Sequence, residues 1–192
     1  MAELLPLFVN LAGRRVVLVG GGPVAAGKLP QLVDAGADVL AVSPEVHPAI
    51  QASGVAIARR EFSPSDLDGA WLVVAAATPD VNRTVARAAE SRRIFVNAVD
   101  DPANATAFLS GVVRRDGVTV AISTNGDAPG LTALLREAVD AILPRDIGRW
   151  MDEARRVREA WKRDQVPMDA RKPLLLETLN ELYRRDREVS QP

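Results

Sequence analysis

Residues 16–25 read Val-Val-Leu-Val-Gly-Gly-Gly-Pro-Val-Ala, and no other stretch limits the fold so tightly. Val16 to Val19 form a short apolar run of the kind that makes a buried parallel strand. A glycine turn follows, and Val24-Ala25-Ala26-Gly27-Lys28-Leu29 opens a helix. Gly20, Gly22 and Ala25 match the G-x-G-x-x-G/A fingerprint of a dinucleotide-binding strand–turn–helix. Gly20 permits the tight turn, Gly22 lets the backbone approach a pyrophosphate, and Ala25 lets the helix pack closely on the strand. The helix start then offers free N–H groups and partial positive charge to phosphates. A tight structural turn without ligand is the competing explanation.

The downstream pattern extends the same architecture. Val39–Val42, Val55–Ala58, Trp71–Ala76 and Ile94–Ala98 read as further strands. Helices are expected over about residues 25–35 and over Val81–Glu90. Strand–helix alternation through residue 98 predicts an α/β fold with a Rossmann-like, doubly wound, mostly parallel sheet. The pattern then changes. Ala107–Arg114 and Val118–Ser123 read as two strands around Arg115-Asp116-Gly117, whose Asp-Gly pair is a hairpin signal. Helical periodicity follows over Gly130–Leu143, Ile147–Lys162 and Pro173–Arg185. Trp150 and Trp161 fall on the apolar face of the second of these helices and are expected to pack between helices. The expected organisation is a nucleotide-binding domain over 1–106, a hairpin-plus-helix segment over 107–145 and a helical tail over 146–192.

Composition removes several classes. The chain has 192 residues, a net charge of −1 and no cysteine, so no global bias toward nucleic acid and no thiolate chemistry are expected. No basic leader runs into a long apolar stretch, and none approaches a membrane span, so a soluble cytoplasmic protein is the expectation. The single histidine, His47, is expected at the surface of a loop beside Pro44 and Pro48. No metal-ligand spacing surrounds it. Acid–base chemistry therefore falls to carboxylates.

Ligands of open α/β sheets bind outside the carboxyl ends of the strands. The second strand ends in Ser43-Pro44-Glu45 rather than in the acidic residue that usually holds a ribose. Ser43 is either a ribose partner or part of a plain turn, and NAD and NADP both stay open. Thr78 ends the fourth strand, where it faces a cofactor or caps a helix. Asn97-Ala98-Val99-Asp100-Asp101-Pro102 ends the fifth and offers either a catalytic carboxylate or a turn. The Ser123-Thr124-Asn125-Gly126 loop holds anionic groups or simply caps itself. Arg149, Arg155, Arg156, Arg158, Lys162 and Arg163 form a solvated helix face or meet a polyanionic substrate.

These pieces stand in a familiar order. Leu5-Pro6-Leu7-Phe8, Val19 to Ala25, Lys28, Gly36-Ala37, Ala76-Ala77-Thr78, Val81-Asn82, Asn97 to Asp100 and Ser123 to Gly126 resemble the N-terminal domains of siroheme synthases, the precorrin-2 dehydrogenase family. The resemblance spans most of residues 4–145. It implies NAD-dependent oxidation of precorrin-2 to sirohydrochlorin, with ferrous iron insertion in some members, and a homodimer formed through the segment after the sheet. It places the catalytic aspartate at Asp100 and cofactor contacts at Gly20, Gly22, Pro23, Val24, Ser43, Pro44 and Thr78. Substrate contacts fall at Asn97, Ser123 and Thr124, and no resident metal is implied. The chain departs from the family pattern at Ser110, Thr124, Asp127 and Ala128. Precorrin-2 carries eight carboxylates, which gives arginines near a cleft a purpose. Two other classes compete. A non-catalytic dinucleotide-sensing module normally keeps the acidic residue ending the second strand. Another small Rossmann oxidoreductase normally shows a Tyr/Lys or His pair.

Overall fold

The computed structural model describes residues 3–189, with side chains through Arg184. Those residues form two compact units, one running to Leu109 and including Ser123–Pro129, the other made of Ser110–Ile122 and the residues from Gly130 on.

The first unit is a five-stranded sheet in the order β3-β2-β1-β4-β5. Its strands are β1 (Arg15–Val19), β2 (Asp38–Val42), β3 (Ala56–Ala58), β4 (Leu72–Ala75) and β5 (Phe95–Ala98), all paired in parallel. Val16 lies opposite Val39 on one side and Leu72 on the other, so β1 is the central strand. Its side chains alternate between two cores, as a strand covered on both faces requires. Val16 and Leu18 join Leu29 and Leu32 of α1 (Pro23–Asp34). Val17 and Val19 join Val85 and Ala89 of α3 (Pro79–Glu90) on the other face. The strand order reverses beside β1, between β2 and β4, and that reversal opens a crevice at the carboxyl edge.

Both α1 and α3 start with proline at the first helical position, where a missing N–H costs nothing. A short helix not expected from the sequence, α2 (Pro48–Gln51), follows β2. His47 lies in the loop before it, half-buried, and serves as its N-cap, with Nδ1 accepting the Ala49 N–H at 3.2 Å. A buried Asp66 steadies the far side. Its carboxylate takes both Arg60 guanidinium nitrogens (2.8 and 2.5 Å) and the Ser63 N–H (2.8 Å). The Arg60 hydrogen bonds hold that carboxyl below the usual carboxylate range against the opposing effect of burial.

The second unit contains an antiparallel hairpin, β6 (Gly111–Arg115) and β7 (Val118–Ile122). Asp116 and Gly117 both have positive φ (46° and 86°), as a two-residue turn of the primed type demands. The strand expected from Ala107 begins only at Gly111, because Thr106 and Ala107 spend their N–H groups on the free edge of β5. Helices α4 (Pro129–Ile142), α5 (Ile147–Arg163) and α6 (Met168–Val189) complete the unit. The last helix starts ahead of the expected Pro173, which lies inside it. Trp150 and Tyr183 meet edge to face at 6.2 Å, and the indole N–H donates to the phenol oxygen at 2.5 Å. No described helix is long and apolar enough to cross a membrane.

Candidate cofactor and substrate site

The three glycines after β1 have three different physical reasons. Gly20 has φ +117°, and a Cβ there would lie 2.2 Å from the Ala76 carbonyl oxygen. It is buried, and it lets the exits of β1 and β4 touch. Gly21 was no part of the expected fingerprint, yet it is the most confined. A Cβ would sit 1.8 Å from the Glu45 carbonyl oxygen and 2.8 Å from Ser43 Oγ. Its own carbonyl accepts the His47 N–H at 2.7 Å, which locks the β1 and β2 exits together. Gly22 is the opposite case. It is extended (φ −80°, ψ −176°), and a Cβ would meet nothing within 4 Å. Neither conformation nor packing requires glycine there. Open space over the first turn of a helix is what close approach by a phosphate needs.

Gly21, Gly22, Ser43, Glu45, Val46 and His47 line a groove of about 380 Å³ at this edge. Ser43 is thus brought beside Gly22, while Pro44 is exposed and outside the lining. Pro23 and Val24 are exposed at the start of α1. The residues present fit a dinucleotide, with a glycine cradle, free N–H groups of a helix start and a hydroxyl at the end of β2.

Thr78 occupies the N-cap of α3, but its hydroxyl makes no capping hydrogen bond. Asn82 does the work expected of it. Buried on the first turn of α3, Asn82 accepts the Ala77 N–H on Oδ1 at 3.0 Å and gives its own N–H to the Thr78 carbonyl at 2.9 Å. Sequence reasoning noted Asn82 only within the family pattern. The available signal was a lone amide on the apolar face of an amphipathic helix.

After β5 the two adjacent aspartates separate in role. Asp101 is half-buried and accepts from Asn104 Nδ2 at 2.7 Å, closing a turn. Asp100 is exposed and left-handed (φ 57°), a conformation uncommon for residues other than glycine. Asn97 is buried, and its Nδ2 donates to the Ala107 carbonyl at 3.0 Å, so its amide braces backbone. Its Oδ1 is buried without a partner. Ser123 Oγ accepts the Asn125 N–H (3.1 Å) and Thr124 Oγ1 the Ala128 N–H (3.3 Å). That loop reaches the turn after Asp100: a Cβ on Gly126 would lie 3.4 Å from both Pro102 and Phe108.

Five of the six helical cations named from the sequence have local partners. Arg149, Arg155, Arg156, Lys162 and Arg163 each lie within 4.0 Å of a neighbouring carboxylate, the pattern of a solvated helix face. Tyr183 is likewise engaged, with Trp150 and with Asp146 at 3.2 Å.

A parallel sheet with a glycine turn at its switch point, and a helix start facing open space, defines a nucleotide-binding α/β protein. The chain belongs to the NAD(P)-binding family whose sequence profile matches residues 7–111. The profile of the central domain of sirohaem biosynthesis proteins matches residues 115–141. Among similar proteins, the siroheme synthase of Methylobacillus flagellatus is 42% identical over 166 residues, 83% of this chain and 35% of its own length. The siroheme synthase of Photorhabdus laumondii is 38% identical over 183 residues, 93% of this chain and 39% of its own. The chain thus spans little more than a third of the curated relatives it matches. A solved structure of SirC, a precorrin-2 dehydrogenase, superimposes with a TM-score of 0.71 at 24% identity, covering 94% of this chain and 92% of that one. That likeness concerns the fold.

Proposed function

We propose that this protein catalyses NAD-dependent oxidation of precorrin-2 to sirohydrochlorin in the cytoplasm, as a homodimer. The observation that carries the proposal is Asp100. It is an exposed carboxylate in a disfavoured backbone conformation, at the same carboxyl edge of the sheet as the glycine groove. The similarity to siroheme synthases supports the substrate, and the NAD(P)-binding profile supports the cofactor.

When bound, the nicotinamide supplies the acceptor for the hydride that leaves precorrin-2. The chain supplies the rest. Gly22 and the N–H groups opening α1 receive the pyrophosphate, and Ser43 and Glu45 lie where the adenosine ribose is expected. Thr78 borders the site from the turn between β4 and α3. Asp100 takes up the proton lost with the hydride, a general-base role that needs no histidine. Ser123 and Thr124 bind substrate carboxylates from the adjoining loop. Ferrous iron, as substrate, would draw on the same carboxylate to deprotonate pyrrole nitrogens. Helix α4 supports the dimer: it has no buried residue, and Leu131, Leu134, Leu135 and Ile142 are exposed along one face.

Asp100→Asn tests the assignment. Turnover is expected to fall by about 10²–10⁴-fold, the usual contribution of a positioned acid or base. NAD⁺ affinity, measured by calorimetry, is expected to stay within about 2-fold, a shift of less than ~0.5 kcal/mol. Wild-type turnover in this variant contradicts the assignment.

A further inference from the structure

The free edge of β5 is closed by the chain's own continuation. Thr106 and Ala107 turn back along it and donate their N–H groups to the Val96 carbonyl at 2.8 and 2.9 Å. The Val96 N–H is then met by the Thr106 hydroxyl oxygen at 2.8 Å, a side chain standing where the carbonyl of a sixth strand would be. One residue further, Asn97 Nδ2 donates to the Ala107 carbonyl at 3.0 Å. Val96 and Asn97 are only 2% and 6% exposed, so water competes little for these bonds.

These bonds fasten together the two ends of residues 98–105, the segment that carries Asp100. Inside it, the Asp101–Asn104 hydrogen bond closes the turn. Asp100 takes its left-handed φ at the third position of a turn that the Asp101 N–H closes on the Ala98 carbonyl at 3.4 Å. The clamp at the base of the loop holds both ends of the segment in which that turn sits. Its backbone bonds are open to any residue but proline, whereas the bond to the Val96 N–H needs a hydroxyl at position 106.

We infer that Thr106 is a positioning residue, whose hydroxyl fixes the base of the Asp100 loop and so sets how the carboxylate meets substrate. The inference rests on the proposed role of Asp100. Thr106 does not line the groove formed by the β1 and β2 exits. Loss of its hydroxyl therefore acts on the chemical step and spares cofactor binding.

The test uses the full chain and four variants. Thr106→Val removes the hydroxyl and keeps the branched shape, Thr106→Ser keeps the hydroxyl, and Asp100→Asn is made alone and with Thr106→Val. Turnover is measured well below each melting temperature and normalised to NAD⁺-binding stoichiometry, with NAD⁺ Kd by calorimetry. Thr106→Val is expected to lower kcat about 10-fold or more, because small misplacement of a reacting group is costly. Its NAD⁺ Kd should remain within about 2-fold, and Thr106→Ser should restore kcat to within about 3-fold. Adding Thr106→Val to Asp100→Asn should cost nothing further, since one residue acts through the other. A merely structural role would lower melting temperature and leave normalised kcat unchanged. Wild-type kcat in Thr106→Val beside an inactive Asp100→Asn overturns the role of Thr106 alone. Equal defects in the valine and serine variants overturn it as well. Full activity in Asp100→Asn overturns the assignment of Asp100, and the role of Thr106 with it.

Discussion

The two units of this chain spend their apolar residues differently. In the first, β1 and β4 are buried along nearly their whole length, and α1 and α3 seal the two faces. In the second, Val113, Ile147 and Val157 are the only buried apolar side chains among the described residues. The large apolar residues of α4 stand exposed instead, Leu134 at 65% and Ile142 at 78%. The first unit therefore has a core of its own, while the second offers an apolar helix face suited to a second copy of the chain. In the proposed function, catalysis falls to the unit whose packing can fix its geometry, and assembly to the unit that leaves surface unspent.

The largest expected effect breaks this contrast from the inside. Gly21→Ala forces a methyl against the Glu45 carbonyl, which belongs to backbone and cannot swing away. Overpacking of this kind costs about 1–3 kcal/mol or more. Melting should drop by roughly 4–10 °C in a protein of this size, with NAD⁺ binding lost. Gly22→Ala, one residue on, should melt within about 3 °C of wild type, because its Cβ meets no protein atom, yet bind NAD⁺ at least ~10-fold more weakly. Equal effects at both positions would show that Gly22 serves packing, and the groove would lose its main support.

A smaller effect is expected from the other unit. Leu134→Glu places a charge on the exposed face of α4. Sedimentation should show dimer association weakened by about 2 kcal/mol or more, the scale of a buried leucine lost. NAD⁺ affinity should not move, since the groove is lined wholly by the first unit. A dimer unchanged by this substitution would remove α4 from the interface.

The smallest concerns acid. Hydrogen bonds from Arg60 lower the Asp66 carboxyl in the folded chain below its unfolded value of about 3.9. The stability it contributes is complete above that value and disappears as pH falls through the lower, folded one. Asp66→Asn should cost about 1–2 kcal/mol at neutral pH and flatten the acid limb of melting temperature against pH below about pH 4. A steeper limb in the variant would contradict the assigned direction.

The same contrast decides what was legible in the sequence. Apolar runs such as Val16–Val19 and Leu72–Ala75 announce strands because burial on both faces leaves little room for anything else. The Asp116-Gly117 turn was equally plain. Ala107–Ser110 misled, because a strand-like run along a sheet edge has the same pattern as the start of a hairpin. Met168–Lys172 was missed because Pro173 reads as a helix start, while here it lies inside α6. In the site, Gly20 and Gly22 were legible from local pattern, whereas Asp100 was singled out from Asp101 only by the family resemblance. Gly21, Asn82 and Thr106 were not, because each answers a neighbour distant in sequence or hidden in a turn: Glu45, the Ala77 amide and the Val96 amide.

The central claim is NAD-dependent chemistry in the first unit, and anaerobic turnover of precorrin-2 with NAD⁺ tests it most directly. NADH absorbance and sirohydrochlorin formation are followed together, in substrate shown to be competent by chemical oxidation. The account predicts that both products rise in equal amounts and that neither appears without NAD⁺. Competent substrate that yields no NADH, or sirohydrochlorin formed at the same rate without NAD⁺, would contradict it.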